Sequence, residues 1–164
     1  MDRRQIALKL AADACGLDFR ISTFEDRLIL QKAVYLMQAA GVHLGHYYQW
    51  YLHGPYSPSL TRDVYAVSTD LTQGLDDSRG WTLDQHSMSV LERLRGLVRT
   101  ENRSQLARKL ELLASIHFLI TRQQVTRPND DAQIAEVLRR FGKDFGLQDV
   151  EGGRRELCEH ELLC

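Results

Sequence analysis

The sequence predicts a mainly α protein: a single compact helical domain of about six or seven helices, with a small β element near residues 46–53 and 81–83. Three observations predict it. Apolar residues recur at three- and four-residue spacing over most of the chain, the pattern of helices with one buried face. The stretch from Gly41 to Gly54 breaks that pattern with short, aromatic, glycine-bounded sequence. Finally, 164 residues with 43% hydrophobic and 26% charged composition suffice for one ordinary core, and no repeat, low-complexity stretch or linker divides them. The domain is expected over 1–148, with 149–164 as a C-terminal tail or short helix. Gly152 and Gly153 weaken a helix start there.

Taken in order, Ile6, Leu10, Ala11 and Ala14 predict a helix over Arg4 to Cys15, which Gly16 stops. Ser22 and Glu25 read as a capping box for the next helix, which Gly41 closes. Its inner run, Leu28 to Met37, is apolar on more than one side and predicts a central helix. After the aromatic segment, Ser57-Pro58 reads as an N-cap followed by proline at the first helical position, where its missing N–H costs nothing. Leu60, Val64 and Leu71 carry that helix towards Gly74. Trp81 to Leu83 could then pair with the aromatic segment. Met88, Leu91, Leu94 and Val98 make one later stripe, and Leu106, Leu110, Leu113, Ile116 and Ile120 another. Pro128 breaks the chain, and "NDDAQIAEVLRRFG" supplies a capped helix ending at Gly142.

The N-terminus lacks the apolar core of a signal peptide, and no apolar run approaches the roughly 20 residues that span a bilayer. The expectation is a cytoplasmic protein without a membrane partner. Cys15, Cys158 and Cys164 are few, odd in number and spread out, and predict no disulfide framework. The formal net charge of -1 conceals an asymmetry: Leu91 to Lys143 holds eleven Arg or Lys against six Asp or Glu. Such an excess suits either the solvated faces of amphipathic helices or a nucleic-acid partner.

The richest stretch is "WYLHGPYSPSLTRD", residues 50 to 63. Gly54 permits a backbone angle that other residues resist, Pro55 fixes the next one, and Pro58 opens a helix, so the chain must turn sharply. Tyr48, Trp50, Tyr51, His53, Tyr56 and Arg62 crowd this elbow. Tyr and Trp join a large apolar face to a polar tip, a combination favoured at protein contacts. These six are the candidate partner-binding residues, within a contact region over 47–63. Trp50 is the one expected to serve the core.

Other chemistry is less well supplied. His53, Tyr56 and Asp63 are types that move protons, but Asp63 beside Arg62 reads as a surface ion pair. No nucleophile elbow, phosphate loop or zinc-protease motif occurs. His43 and His46 with His53, and Cys158 and His160 with Cys164, are fragments of metal-ligand spacing without the paired pattern of a metal site. No metal or cofactor is expected. Arg93, Arg95, Arg99, Arg103 and Arg108 would carry a nucleic-acid contact if there is one, although no reader motif accompanies them.

"RLILQKAVYLMQ" followed by "WYLHGPYSPSL" resembles the signature of the Panacea domain, the SocA-like antitoxin family. The matching positions are Leu30, Gln31, Lys32, Tyr35, Gln38, Trp50, Gly54, Pro55 and Pro58. The likeness covers about residues 24–66, a quarter of the chain. Here the interval from Gln-Lys to Gly-Pro is shorter than in typical members, and the elbow is nearer to that of YwgA-like bacterial proteins. The resemblance implies a helical domain with a small sheet that acts by binding other proteins, either neutralising a toxin or presenting a partner as an adaptor. It also implies that Gln31 and Lys32 sit near the Gly-Pro turn and help to fix it.

The expected function is therefore a non-enzymatic bacterial or phage-associated protein-binding module, antitoxin-like or adaptor-like. Its partner would be a protein such as a toxin or other effector, with a homodimer left open. The alternatives are a nucleic-acid-associated regulator using the Arg-rich helices of 91–143, and a small hydrolase or nuclease centred on His53 and Asp63.

Overall fold

The computed structural model describes residues 1–100 and 102–164. Among them are seven helices and one two-stranded antiparallel sheet: α1 (Arg3–Cys15), α2 (Phe24–Ala39), β1 (Gln49–Tyr51), β2 (Gly54–Tyr56), α3 (Pro58–Thr72), α4 (Gln85–Val98), α5 (Arg103–Thr121), α6 (Asp131–Arg140) and α7 (Leu147–Glu159). This is the mainly α, single compact domain that the periodicity predicts.

Two helices form the centre. In α2 every residue from Ile29 to Met37 is buried, and in α5 every residue from Leu112 to Phe118 is buried, as is Leu119. They pack on each other more extensively than any other pair. Around them α1 lies on α4 and α3, while α7 covers α5 and α6. In α7, Gly153 is the reason for the close approach. A Cβ there would stand 2.9 Å from Ile116 Cδ1 and 3.3 Å from Leu112 Cδ2. The glycine that weakens helix propensity thus lets α7 reach the core.

Several local expectations are corrected. Thr23, not Ser22, caps α2: its side chain accepts from Asp26 N at 3.0 Å, and Asp26 Oδ2 accepts from Thr23 N at 3.1 Å. Arg103 donates to the same carboxylate at 2.8 Å, a partner 77 residues away that local pattern cannot reveal. Trp81 to Leu83 forms no strand. Instead β1 pairs with β2 across Leu52 and His53, with Trp50 opposite Pro55, so the nearest extended segment takes its hydrogen bonds. Met88 is exposed, because α4 buries Ser87, Val90, Leu91, Leu94, Leu97 and Val98 instead.

The cysteine expectation is corrected as well. Cys158 and Cys164 form a disulfide that closes a short loop at the end of α7, and only Cys15 is free. The pair lies six positions apart, and the turn after α7 folds one sulfur back onto the other.

Candidate functional site

Residues 42–48 alternate strictly in burial: Val42, Leu44, His46 and Tyr48 are buried, whereas His43, Gly45 and Tyr47 are exposed. A period of two puts every second side chain on one face. Tyr48, expected at the contact surface, therefore belongs to the core, edge-on to Tyr35 at 5.1 Å. Trp50 is half-buried as expected, between Phe118 and Phe141 with centroids at 5.7 and 4.8 Å. Tyr51 is 62% exposed and Leu52 73%, so the hairpin tip turns its apolar side chains outwards, and Tyr47, ahead of β1, is 88% exposed.

Two polar residues of α2 hold the elbow from beneath. The Lys32 ammonium, 1% exposed, donates to the Pro55 carbonyl at 2.5 Å. Gln31 clamps Ser57 on both sides, its Oε1 accepting from Ser57 N at 3.0 Å and its Nε2 donating to Ser57 O at 2.9 Å. Gln31 Nε2 also donates to Thr61 Oγ1 at 2.8 Å, and Thr61 donates onward to the Tyr56 hydroxyl at 2.8 Å. Buried backbone groups need partners, and an elbow has no helix or long sheet to supply them. These two side chains do so. Ser57 then caps α3, accepting from Leu60 N at 3.3 Å.

Burial in this apolar setting, and then the charge of Lys143, pushes the Lys32 amine down to about 7, and the charge of Glu111 acts less strongly in the opposite direction. Lys143 and Glu111 are side chains that the sequence reading missed. Lys143 is buried, paired with Glu111 at 2.6 Å, donates to the Leu52 carbonyl at 3.3 Å and lies 5.6 Å from the centre of the Trp50 ring. His53 reaches the same Glu111 at 3.5 Å. No local signal marks Lys143, because it meets the hairpin only through the folding of the chain between them.

Asp63 is corrected. It is buried, and its partner is Arg4 at 2.6 Å, not Arg62; Gln5 donates to its other oxygen at 3.2 Å, and His46 Nε2 stands 3.8 Å away. His53 and Asp63 share no partner, and the structure does not bring them together. His46 is also bonded through Nδ1 to Ser59 Oγ at 3.0 Å, while His43 is solvent-exposed. At the C-terminus the disulfide uses both thiols of the Cys158–Cys164 group, leaving His160 hydrogen-bonded to the Glu156 carbonyl at 2.9 Å.

The arginines of the second half are spread over the surface. Arg93 pairs with Glu161, Arg103 with Asp26, and Arg108 lies over the Phe145 ring and bonds the Asp144 carbonyl. Arg95 and Arg99 are exposed.

What remains at the elbow is a pocket of about 320 Å³ between α2, the hairpin and α3, opening among Phe24, Tyr51, Leu52 and Tyr65. Fold and site together define a small helical domain that presents an aromatic-rimmed pocket on a rigid elbow. No helix among the described residues is long and apolar enough to cross a membrane. No protein-family model matches the chain, and neither a curated protein nor a solved structure matches it.

Proposed function

We propose that the chain is a non-enzymatic protein-binding module, antitoxin-like or adaptor-like, whose contact surface is the rim of the elbow pocket. One observation carries this reading: Phe24, Tyr51, Leu52 and Tyr65 are 52%, 62%, 73% and 45% exposed around one concave spot. Single exposed apolar residues need no explanation, but a cluster around a pocket suits partner contact. The hairpin that displays Tyr51 and Leu52 is tied down by Lys32 and Lys143, so little ordering entropy is lost on binding. His53 and Tyr56 line the same pocket, whereas Arg62 is exposed on α3 and does not line it.

The test is a tagged pull-down from the native host, comparing wild type with Tyr51→Ala and Leu52→Ser, followed by reconstitution with the purified partner. Both substitutions alter exposed side chains and should leave the fold unchanged. A stoichiometric protein bound by wild type and lost in both variants supports the reading. Capture of nucleic acid alone, released by salt and indifferent to Tyr51, overturns it.

A further inference from the structure

The elbow pocket has a polar character that a protein-contact surface does not explain. Its apolar walls include Phe24, Leu28 and Val64, yet its charged members, Arg27 and Lys32, are both cations, and among the described residues neither Asp nor Glu lines it. Arg27 donates to the Ile21 carbonyl at 2.8 Å and Lys32 to the Pro55 carbonyl at 2.5 Å. No carboxylate lies within salt-bridge distance of either among the described residues. An ammonium carries three N–H donors, and one of those on Lys32 is taken.

A third donor is set by the hydrogen-bond chain. Because Ser57 N donates to Gln31 Oε1, the Gln31 amide must present its N–H groups to Ser57 O and Thr61. Thr61 accepts from it, and its one hydroxyl proton goes to the Tyr56 oxygen at 2.8 Å, the shorter contact, with the Ser57 carbonyl at 3.4 Å as its other acceptor. The Tyr56 oxygen is thus an acceptor within the protein, and its own O–H is left over on the pocket wall. The Lys32 ammonium and the Tyr56 hydroxyl thus both offer donors to the pocket, whose other polar side chains include the Tyr51 and Tyr65 hydroxyls and the His53 ring. An apolar cavity lined by spare donors and cations complements an anion with a hydrocarbon body.

We propose that this pocket binds a small organic monocarboxylate with an apolar body, an acyl or arylalkyl acid. Its carboxylate is held by the Lys32 ammonium and the Tyr56 hydroxyl, and its hydrocarbon lies against Phe24, Leu28 and Val64. A volume of about 320 Å³ limits the ligand to a short chain or a single ring. A carboxylate placed there would give Lys32 the counter-charge that it lacks. The proposal stands independently of the protein-binding reading, since a ligand can occupy the pocket whether or not a partner covers its rim.

The experiment is an amide-resolved NMR titration of the full chain with hexanoate and 3-phenylpropionate, beside the neutral hexanamide and 3-phenylpropionamide. The acids should shift the amides of 54–57 and the first half of α2 saturably, and the neutral amides should bind about tenfold more weakly or less. Tyr56→Phe, which removes one oxygen and should fold normally, should weaken the acids several-fold without affecting the amides. Lys32→Met should abolish the preference for acids; where that variant is unfolded, Tyr56→Phe decides. Equal affinity for acid and amide, no saturable shift with any probe, or undiminished binding by Tyr56→Phe would each overturn the proposal.

Discussion

Gly54 lies flush against Ser115 of α5: a Cβ added to the glycine would stand 2.4 Å from the Ser115 Oγ. The Gly-Pro pair therefore does more than turn the chain. It brings β2 so close to the central helix that an added Cβ would have to displace the Ser115 hydroxyl, at a φ of +86° that other residues avoid. The carbonyl of the next residue can then be reached by Lys32.

Gly54→Ala should destabilise the protein by about 3 kcal/mol or more, combining left-handed strain with the clash. Gly80 offers the control, with a φ of +82° and nothing within 4 Å of an added Cβ. Gly80→Ala should cost only about 1 kcal/mol, and Ser115→Ala should recover part of the Gly54→Ala loss in the double variant. Urea unfolding of the wild type, the three single variants and the double variant measures each term.

Lys32 makes stability depend on pH above neutrality. Its folded pKa of about 7 lies below the ordinary 10.5, so from about pH 7 upwards the unfolded chain holds a proton that the folded chain has released. Stability should rise with pH in that window. The rise should fade above about pH 9, where the unfolded chain ionises Cys15, a thiol that burial raises to about 12 in the fold. Lys32→Met should flatten the slope between pH 7 and 8.5, as read from denaturation midpoints. An unchanged slope in that variant would show that the amine stays charged in the fold.

On the acid side the decisive group is His117. It is buried with its Nδ1 2.7 Å from the Tyr35 hydroxyl, and desolvation holds it down to about 4, with a weaker opposing contribution from the Leu162 carbonyl. Between pH 6.5 and 4 the unfolded histidine takes up a proton that the folded one refuses, so stability should fall as pH falls. The shift corresponds to about 3 kcal/mol. Burial displaces His46 in the same direction. His117→Gln should shift the acid midpoint of unfolding downwards, measured by circular dichroism.

Reduction of the Cys158–Cys164 bond should cost little compared with that of a long-loop disulfide. Its loop spans six residues, for which loss of the constraint on the unfolded chain is about 2 kcal/mol. Cys164→Ser should match the reduced wild type in urea, and neither should change the hydrogen-exchange protection of α2. A loss of protection throughout the core would mean that the C-terminal loop holds the whole fold.

The helices were legible because each is largely decided by its own residues. The apolar run of α2, the Ser57-Pro58 start of α3 and the stop at Gly16 depend on periodicity, caps and φ preferences that act within a few positions. The elbow was legible for the same reason, since glycine and proline act through their own backbone. Tyr48 was misplaced because aromatic composition alone does not say which face an extended segment buries. The alternation from Val42 to Tyr48 was the available signal, and it runs through His46, a residue rarely counted as core.

By itself the sequence determined the mainly α class, the Ser57-Pro58 start of α3 and the place of the turn. Tertiary structure alone decided which charges meet: Asp63 with Arg4, Asp26 with Arg103, and Lys143 with Glu111 beneath the hairpin. It also decided that Lys32 and Tyr56 face one pocket. Backbone preferences are short-ranged and written in neighbouring residues. The partner of a buried charge is set by packing between segments tens of residues apart, so it exists only once the chain has folded.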